Sequence, residues 1–172
     1  PGLFTIESLI HSDTRGSLSE VFNDQMVFET LAFRSKLELE VVSSIGVLRG
    51  LHYQLEPAAQ AKIVRVVSGQ ILDVVVDIRK SSKTFGKYFS TILDDENKKQ
   101  LYIPRGFAHG YYTLAENTII LYKLDGLYVK ERSRGIMYND DTLGVDWNLT
   151  AAPILSKQDS SLPRFINAEL FY

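Results

Sequence analysis

Residues 61–78 read AKIVRVVSGQILDVVVDI, two runs dense in valine and isoleucine parted by Ser68-Gly69. Branched side chains crowd a helical turn but sit well on a pleated strand, so both runs are expected to be β-strands. Gly69 accepts the positive φ that two-residue turns demand, which predicts a tight hairpin between them. Runs of the same kind recur at 2–9, 17–22, 38–43, 47–54, 87–93, 100–103, 109–114 and 118–124, separated by Gly, Asp, Asn, Ser or Pro. About ten strands tend to curl or split into two packed layers, so an all-β jelly roll or barrel is expected. The exception is 24–33, where Met26, Val27, Thr30, Leu31 and Phe33 fall near helical spacing and predict a short surface helix. Beyond Asp125 the pattern loosens, and Ser156-Lys157-Gln158-Asp159 ahead of Pro163 reads as a helical turn in a segment packed back over the strands.

The chain has 172 residues, enough for one domain over 1–172 to build its own core without a disulfide or a structural metal. Its 19 Lys and Arg stand against 21 Asp and Glu, a formal charge of −2, so no basic surplus points to nucleic acid or an anionic membrane. There is no cysteine, which removes thiolate metal sites and a cysteine nucleophile. No apolar run approaches the roughly 18 residues that span a bilayer, and the amino end lacks the pattern of a secretory signal. A soluble, cytoplasmic chain is expected. No repeat or low-complexity linker divides it.

Chemistry is concentrated around two of the three histidines. In Leu48-Arg49-Gly50-Leu51-His52-Tyr53-Gln54, strict alternation puts Leu48, Gly50, His52 and Gln54 on one strand face and Arg49, Leu51 and Tyr53 on the other. Pro104-Arg105-Gly106-Phe107-Ala108-His109-Gly110 is a turn that delivers His109 to the next strand, and the two imidazoles are expected to face one cavity. His11, beside Ser12-Asp13, is read as an ordinary loop residue. Pro104-x-Gly106-x-x-His109 and Gly50-x-His52 resemble the two motifs of the cupin superfamily, but the metal triad is broken. Gln54 replaces the second histidine, and Lys62 lies where the glutamate would be sought. An ammonium repels a divalent ion, so no metal is expected.

A histidine, cations and tyrosines in one cavity suit proton removal from carbon beside a carbonyl. Histidine, with a pKa of about 6.5, acts as base at neutral pH, and a cation holds the enolate oxygen. Re-protonation from the opposite face inverts the centre, and a tyrosine with a pKa of about 10 is a suitable acid. Tyr111, Tyr112, Tyr122 and Tyr128 are the candidates. Asp73, Asp77 and Arg79 are read as structural charges, and Lys98-Lys99 and Asp94-Asp95-Glu96 as solvated turns. Trp147 is left outside the catalytic set.

A larger set of motifs is shared in order with one family: Asp13-x-Arg15-Gly16, Val47-Leu48-Arg49-Gly50-Leu51-His52-Tyr53-Gln54, Gln60-x-Lys62, Gly69-x-x-x-Asp73-Val74-x-Val76-Asp77-x-Arg79, Thr84-Phe85-Gly86, Pro104-x-Gly106-Phe107-Ala108-His109-Gly110, Tyr122-Lys123, Asn139-Asp140, Gly144-x-x-Trp147 and Leu155-Ser156-x-x-Asp159. On these the chain resembles the dTDP-4-dehydrorhamnose 3,5-epimerases. The resemblance implies a homodimeric cupin-type jelly roll that converts dTDP-4-keto-6-deoxy-glucose to dTDP-4-keto-L-rhamnose, inverting C3 and C5 without a cofactor. It implies His52 as base, Asp159 as its partner, Lys62 at the enolate and Tyr122 as the opposite acid. Arg49, His109 and Tyr128 match positions lining the sugar and diphosphate site. Arg15 and Glu20 match an amino-terminal strand that, in the family, crosses to the partner subunit and helps hold the nucleotide.

Departures touch binding rather than chemistry. Ser17-Leu18-Ser19 stands where aromatic residues commonly follow Arg-Gly, and Leu127 where many relatives place a second tyrosine. The segment 39–46 is shorter than usual and lacks the Gln and Asn often found there as nucleotide contacts. Three alternatives follow: a C3- or C5-monoepimerase of a related 4-keto deoxysugar, a metal-dependent cupin using His52, His109 and a carboxylate, and a sugar-nucleotide binding protein without turnover.

Overall fold

The computed structural model describes residues 2–172, so Pro1 of the expected 1–172 domain lies outside the described residues. In chain order the elements are β1 (Phe4–Ile6), β2 (Ile10–Asp13), β3 (Gly16–Ser19), α1 (Asp24–Leu31), β4 (Leu37–Ser43), β5 (Leu48–Gln54) and β6 (Lys62–Ser68). They continue with β7 (Gln70–Asp77), β8 (Tyr88–Asp94), β9 (Gln100–Ile103), β10 (Phe107–Thr113), β11 (Thr118–Leu124) and β12 (Ser133–Gly135). Two five-stranded antiparallel sheets result, ordered β1-β9-β6-β11-β4 and β12-β5-β10-β7-β8, while β2 and β3 form a separate hairpin. This is the all-β jelly roll expected, with α1 and short 3-10 turns at its periphery.

The valine-rich stretch owes its unbroken apolar character to burial on both faces. Ile71 and Val75 of β7 pack between the sheets with Val64, Val66, Leu101 and Ile120. Leu72, Val74 and Val76 pack on the other face, which Ile136, Leu143, Trp147, Phe165 and Leu170 cover. A strand enclosed in this way reads as a continuous run, and each fully buried valine or isoleucine contributes about 1.5–3 kcal/mol. The covering segment is the expected return of the carboxyl end over the strands, and Trp147 belongs to its packing. On the far face of the first sheet, Val27 of α1 and Phe33 pack on Ile63 and Tyr102. Asn23 caps α1 by accepting from the Met26 N–H at 3.1 Å. The helix ends before the expected Phe33, because Ala32 turns left-handed at φ +52 and releases Phe33 into the core.

The structure corrects several local expectations. Gly69 does take a positive φ of +85, but β6 and β7 do not pair; they lie in different sheets. Ser68-Gly69 is a corner between layers, and a glycine signal specifies the turn without specifying which sheet the next strand joins. The first two runs shrink to β1 and β3, and β2, carrying His11, forms a strand where the sequence predicts a loop. Every residue of β2 is exposed, so no buried face imposes an alternation to be read. The three-residue β12 is likewise too short for a pattern.

Candidate active site

At one end of the barrel the inward positions of five strands converge on a cavity of about 300 Å³. Its lining includes Leu39 and Val41 from β4, Arg49, His52 and Gln54 from β5, Lys62 from β6, His109 and Tyr111 from β10, and Tyr122 from β11, with Tyr128 beyond. The size is within the range of small-molecule sites. A second cavity of about 490 Å³ lies beside the β2-β3 hairpin and contains Ile6, Leu9, His11, Glu20, Phe22 and Met26. It is larger but brings no base together with a lysine or arginine, as the first does.

Strict alternation would separate Arg49 from His52, yet both line the cavity. The cause is an irregularity between β5 and β10: His52 pairs with His109 and Arg49 with Tyr111, so three steps on one strand oppose two on the other. Gly50 carries the extra step at φ +127, and a Cβ there would fall 2.5 Å from the Gly110 Cα. A Cβ on Gly110 would in turn fall 2.7 Å from the Arg49 carbonyl oxygen. The two glycines let the backbones close on each other, which sets the two histidines side by side.

Each histidine is held by a carboxylate. The His52 Nε2 stands 2.5 Å from Asp159 Oδ1, and Ser156 Oγ donates to Asp159 Oδ2 at 2.7 Å. Burial works to raise the Asp159 carboxyl, but hydrogen bonds from His52, Ser156 and the Gly50 N–H hold it below its ordinary value. An ionised carboxylate only accepts, so Nε2 carries the hydrogen and Nδ1 is left as the basic atom of His52. The second pair is deeper: His109 Nε2 is 2.8 Å from Asp73 Oδ2, with both side chains buried. Burial lowers the His109 pKa against the pull of Asp73, and the Lys62 and His52 charges lower it further. His109 is therefore neutral at pH 7, with Nδ1 free to accept a hydrogen bond.

Lys62 faces Asp73 from the opposite sheet. Burial brings its ammonium down to about 8, and the Asp73 carboxylate resists the fall. Asp73 Oδ1 has no hydrogen-bond partner among the described residues. A buried carboxylate so placed costs several kcal/mol unless a cation compensates, and Lys62 is that cation. Burial raises Tyr122 well above its ordinary value, with Tyr111 and Asp73 adding to the rise and Arg49 opposing it. The phenol is protonated at rest. Its neighbour Tyr111 shares a hydrogen bond of 3.0 Å with Ser43, which also accepts from Arg49 Nε at 3.4 Å.

The family profile described as dTDP-4-dehydrorhamnose 3,5-epimerase matches residues 1–167. A relative of that description from Shigella flexneri is 45% identical, across 99% of this chain and 95% of its own. The chain belongs to the dTDP-4-dehydrorhamnose 3,5-epimerase family. It is an isomerase whose reaction is 3,5-epimerisation. Among solved structures, a Legionella pneumophila dTDP-6-deoxy-D-glucose-3,5-epimerase in complex with dTDP-4-keto-L-rhamnose is 39% identical, with a TM-score of 0.92 over 96% of this chain and 89% of that one. A 3'-monoepimerase from Streptomyces bikiniensis in complex with dTDP-quinovose is 31% identical, with a TM-score of 0.91 over 96% of this chain and 84% of that one.

In this epimerase, the cavity brings together His52, Lys62, Tyr122, Arg49, His109 and Tyr128, and the 3-10 turn Asp159–Ser161 carries Asp159 to His52. Of the four tyrosine candidates, Tyr112 is excluded because it packs on the outer face of its sheet with Leu72 and Val76. Arg15 and Glu20 do not reach this cavity: Arg15 is at the hairpin tip, and Glu20 lines the second cavity. Asp77 and Arg79 form the structural pair expected of them, at 2.7 Å. Asp73, read with them, is instead the partner of His109. The signal was its position: Asp73 shares the inward face of β7 with Ile71 and Val75, where a charge without purpose would be costly. Leu39 and Val41, within the segment that departs from the family, make one wall of the cavity apolar. No helix among the described residues is long and apolar enough to cross a membrane.

Proposed function

We propose that this cavity is the catalytic centre, with His52 as base, Asp159 as its orienting partner, Lys62 at the enolate oxygen and Tyr122 as acid. The observation that carries the assignment is that His52 and Tyr122 line one cavity from opposite sheets. A sugar ring between them presents one face to each. His52 Nδ1 takes the proton from carbon adjacent to the C4 ketone, the C–H electrons move onto the ketone oxygen, and the Lys62 ammonium balances the charge. The enolate then collapses with proton transfer from Tyr122 to the other face, inverting the carbon. Asp159 stabilises the imidazolium meanwhile. Once His52 has released its proton to water and the Tyr122 phenolate has regained one from water, the cycle repeats at the second carbon on the far side of the ketone.

The substrate in this reading is dTDP-4-keto-6-deoxy-glucose, and the product dTDP-4-keto-L-rhamnose. The relatives with the higher identities carry the 3,5-epimerase description. Arg49 and Tyr128 hold the sugar and diphosphate, while neutral His109 accepts from a sugar hydroxyl. No metal enters the scheme: Gln54 spends its amide on backbone groups, and the Lys62 ammonium shares the cavity.

The single domain works as a homodimer in this reading, in the cytoplasm. What supports the dimer is the hairpin, which pairs with neither sheet and exposes Leu9, Leu18 and Arg15. It extends to the partner's cavity, where Arg15 and Glu20 meet the nucleotide. Sedimentation should show twice the 19.5 kDa chain mass, and Arg15→Ala should weaken dTDP binding; a monomer with full activity would overturn this arrangement.

The pH profile tests the role of Lys62. Its ammonium is present below a pKa of about 8 and lost above it. The kcat/KM profile, which reports the free enzyme, is therefore expected to fall on the alkaline side with a midpoint near that value. Lys62→Met should remove most of the rate at every pH. An alkaline limb retained unchanged in that variant would reject the assignment.

A further inference from the structure

Gln54 occupies the place where metal-binding cupins carry a second histidine, and the proton transfers above do not use it. It is nevertheless buried and fully engaged. Its Nε2 donates to the carbonyls of Ala58 at 2.8 Å and Leu127 at 3.1 Å, and its Oε1 accepts from the Val129 N–H at 2.6 Å. These partners fix the amide's orientation, since the flipped form would set an NH₂ against an N–H and an oxygen against two carbonyls.

The carbonyl of one residue and the N–H two residues later are the groups that a strand presents to a neighbouring strand. Gln54 satisfies both with a single side-chain amide and so brackets Tyr128 on either side. Tyr128 lies outside any helix or strand and is 62% exposed, yet it lines the cavity. Its own packing does not hold it there. The segment is tied just upstream as well, where Gln60 Nε2 donates to the Gly126 carbonyl at 2.7 Å.

We infer that Gln54 is a positioning residue for substrate binding: its side-chain amide clamps residues 127–129 and so holds Tyr128 over the catalytic cavity. The inference rests on the proposed role of Tyr128 in holding substrate. It gives Gln54 a purpose in a cavity that does not need its ligating capacity. The clamp sets the ground-state grip on the sugar nucleotide and leaves the proton-transfer groups where they are.

A double-mutant cycle separates this role from a merely structural one. Steady-state constants are measured for the full protein, Gln54→Met, Tyr128→Ala and the double variant, with thermal unfolding as a check on each. Gln54→Met is expected to raise KM about tenfold with kcat within about threefold, the pattern of lost uniform binding. Once Tyr128 is gone the clamp has nothing to position, so the double variant should match Tyr128→Ala within about twofold. Independent, multiplying effects would overturn the inference while leaving Tyr128 as a binding residue. If Tyr128→Ala leaves KM unchanged, the role of Tyr128 falls and the inference with it. Should Gln54→Met unfold, Gln54→Glu keeps the acceptor for Val129 and removes both donors; it should raise KM with the same non-additivity, and additivity there would be equally fatal.

Discussion

His52→Asn is expected to lower turnover by roughly 10²–10⁴-fold or more while the fold stays intact, because it removes the proposed base and little else. The His52 side chain is 40% exposed and belongs to no hydrophobic cluster, so its loss opens no core cavity. Asp159 keeps its hydrogen bonds from Ser156 and Gly50, while the shorter Asn side chain ends before the place of the ring Nε2. The remaining groups, Lys62 and Tyr122, stay in place but have no acceptor for the C–H proton. Steady-state rates alongside thermal unfolding make the comparison. Near-normal turnover in a folded variant would show that the base lies elsewhere.

Tyr122→Phe is expected to split two events that the parent enzyme couples. Proton removal by His52 continues, so deuterium from solvent enters the sugar, but the deuteron returns to the face from which the proton left. Exchange therefore survives while inversion is lost by a similar factor of roughly 10²–10⁴. The ring itself is retained: the edge-on contact with His109, 6.0 Å between centroids, does not need the hydroxyl. Packing is preserved and only the hydroxyl, the proposed acid, is removed. The readout is the ratio of deuterium incorporated to epimer formed, followed by proton NMR. If both fall in equal measure, Tyr122 is not the acid of the inverting step.

Much of the fold was legible because β-branched runs and turn residues are local signals. What escaped were features fixed by distant parts of the chain. Ser68-Gly69 looks like a hairpin turn, and only the layered arrangement makes it a corner between sheets. The exposed β2 carries no apolar alternation, since nothing buries one of its faces.

The site divides in the same way. His52, Lys62, Tyr122 and Asp159 come from four separate elements, and it was their shared order with a family, not their spacing, that drew them together. Strict alternation put Arg49 on the wrong face, because the irregularity at Gly50 depends on how β10 pairs with β5. Asp73 hid in a valine-rich strand, where an aspartate also suits a structural ion pair. Gln54 could be read as a missing metal ligand, but its grip on residues 127–129 joins positions more than 70 residues apart along the chain, so nothing local announces it. Arg15 and Glu20 lie away from their own cavity, since the hairpin that carries them pairs with neither sheet.

The reaction itself is read most directly by proton NMR of dTDP-4-keto-6-deoxy-glucose incubated with the protein in D₂O against an enzyme-free control. Loss of both the C3 and C5 proton signals, with appearance of the inverted diastereomer, is the predicted result. Exchange and inversion at one carbon alone would contradict double epimerisation and place the protein with the monoepimerases, and exchange at neither would contradict the catalytic account altogether.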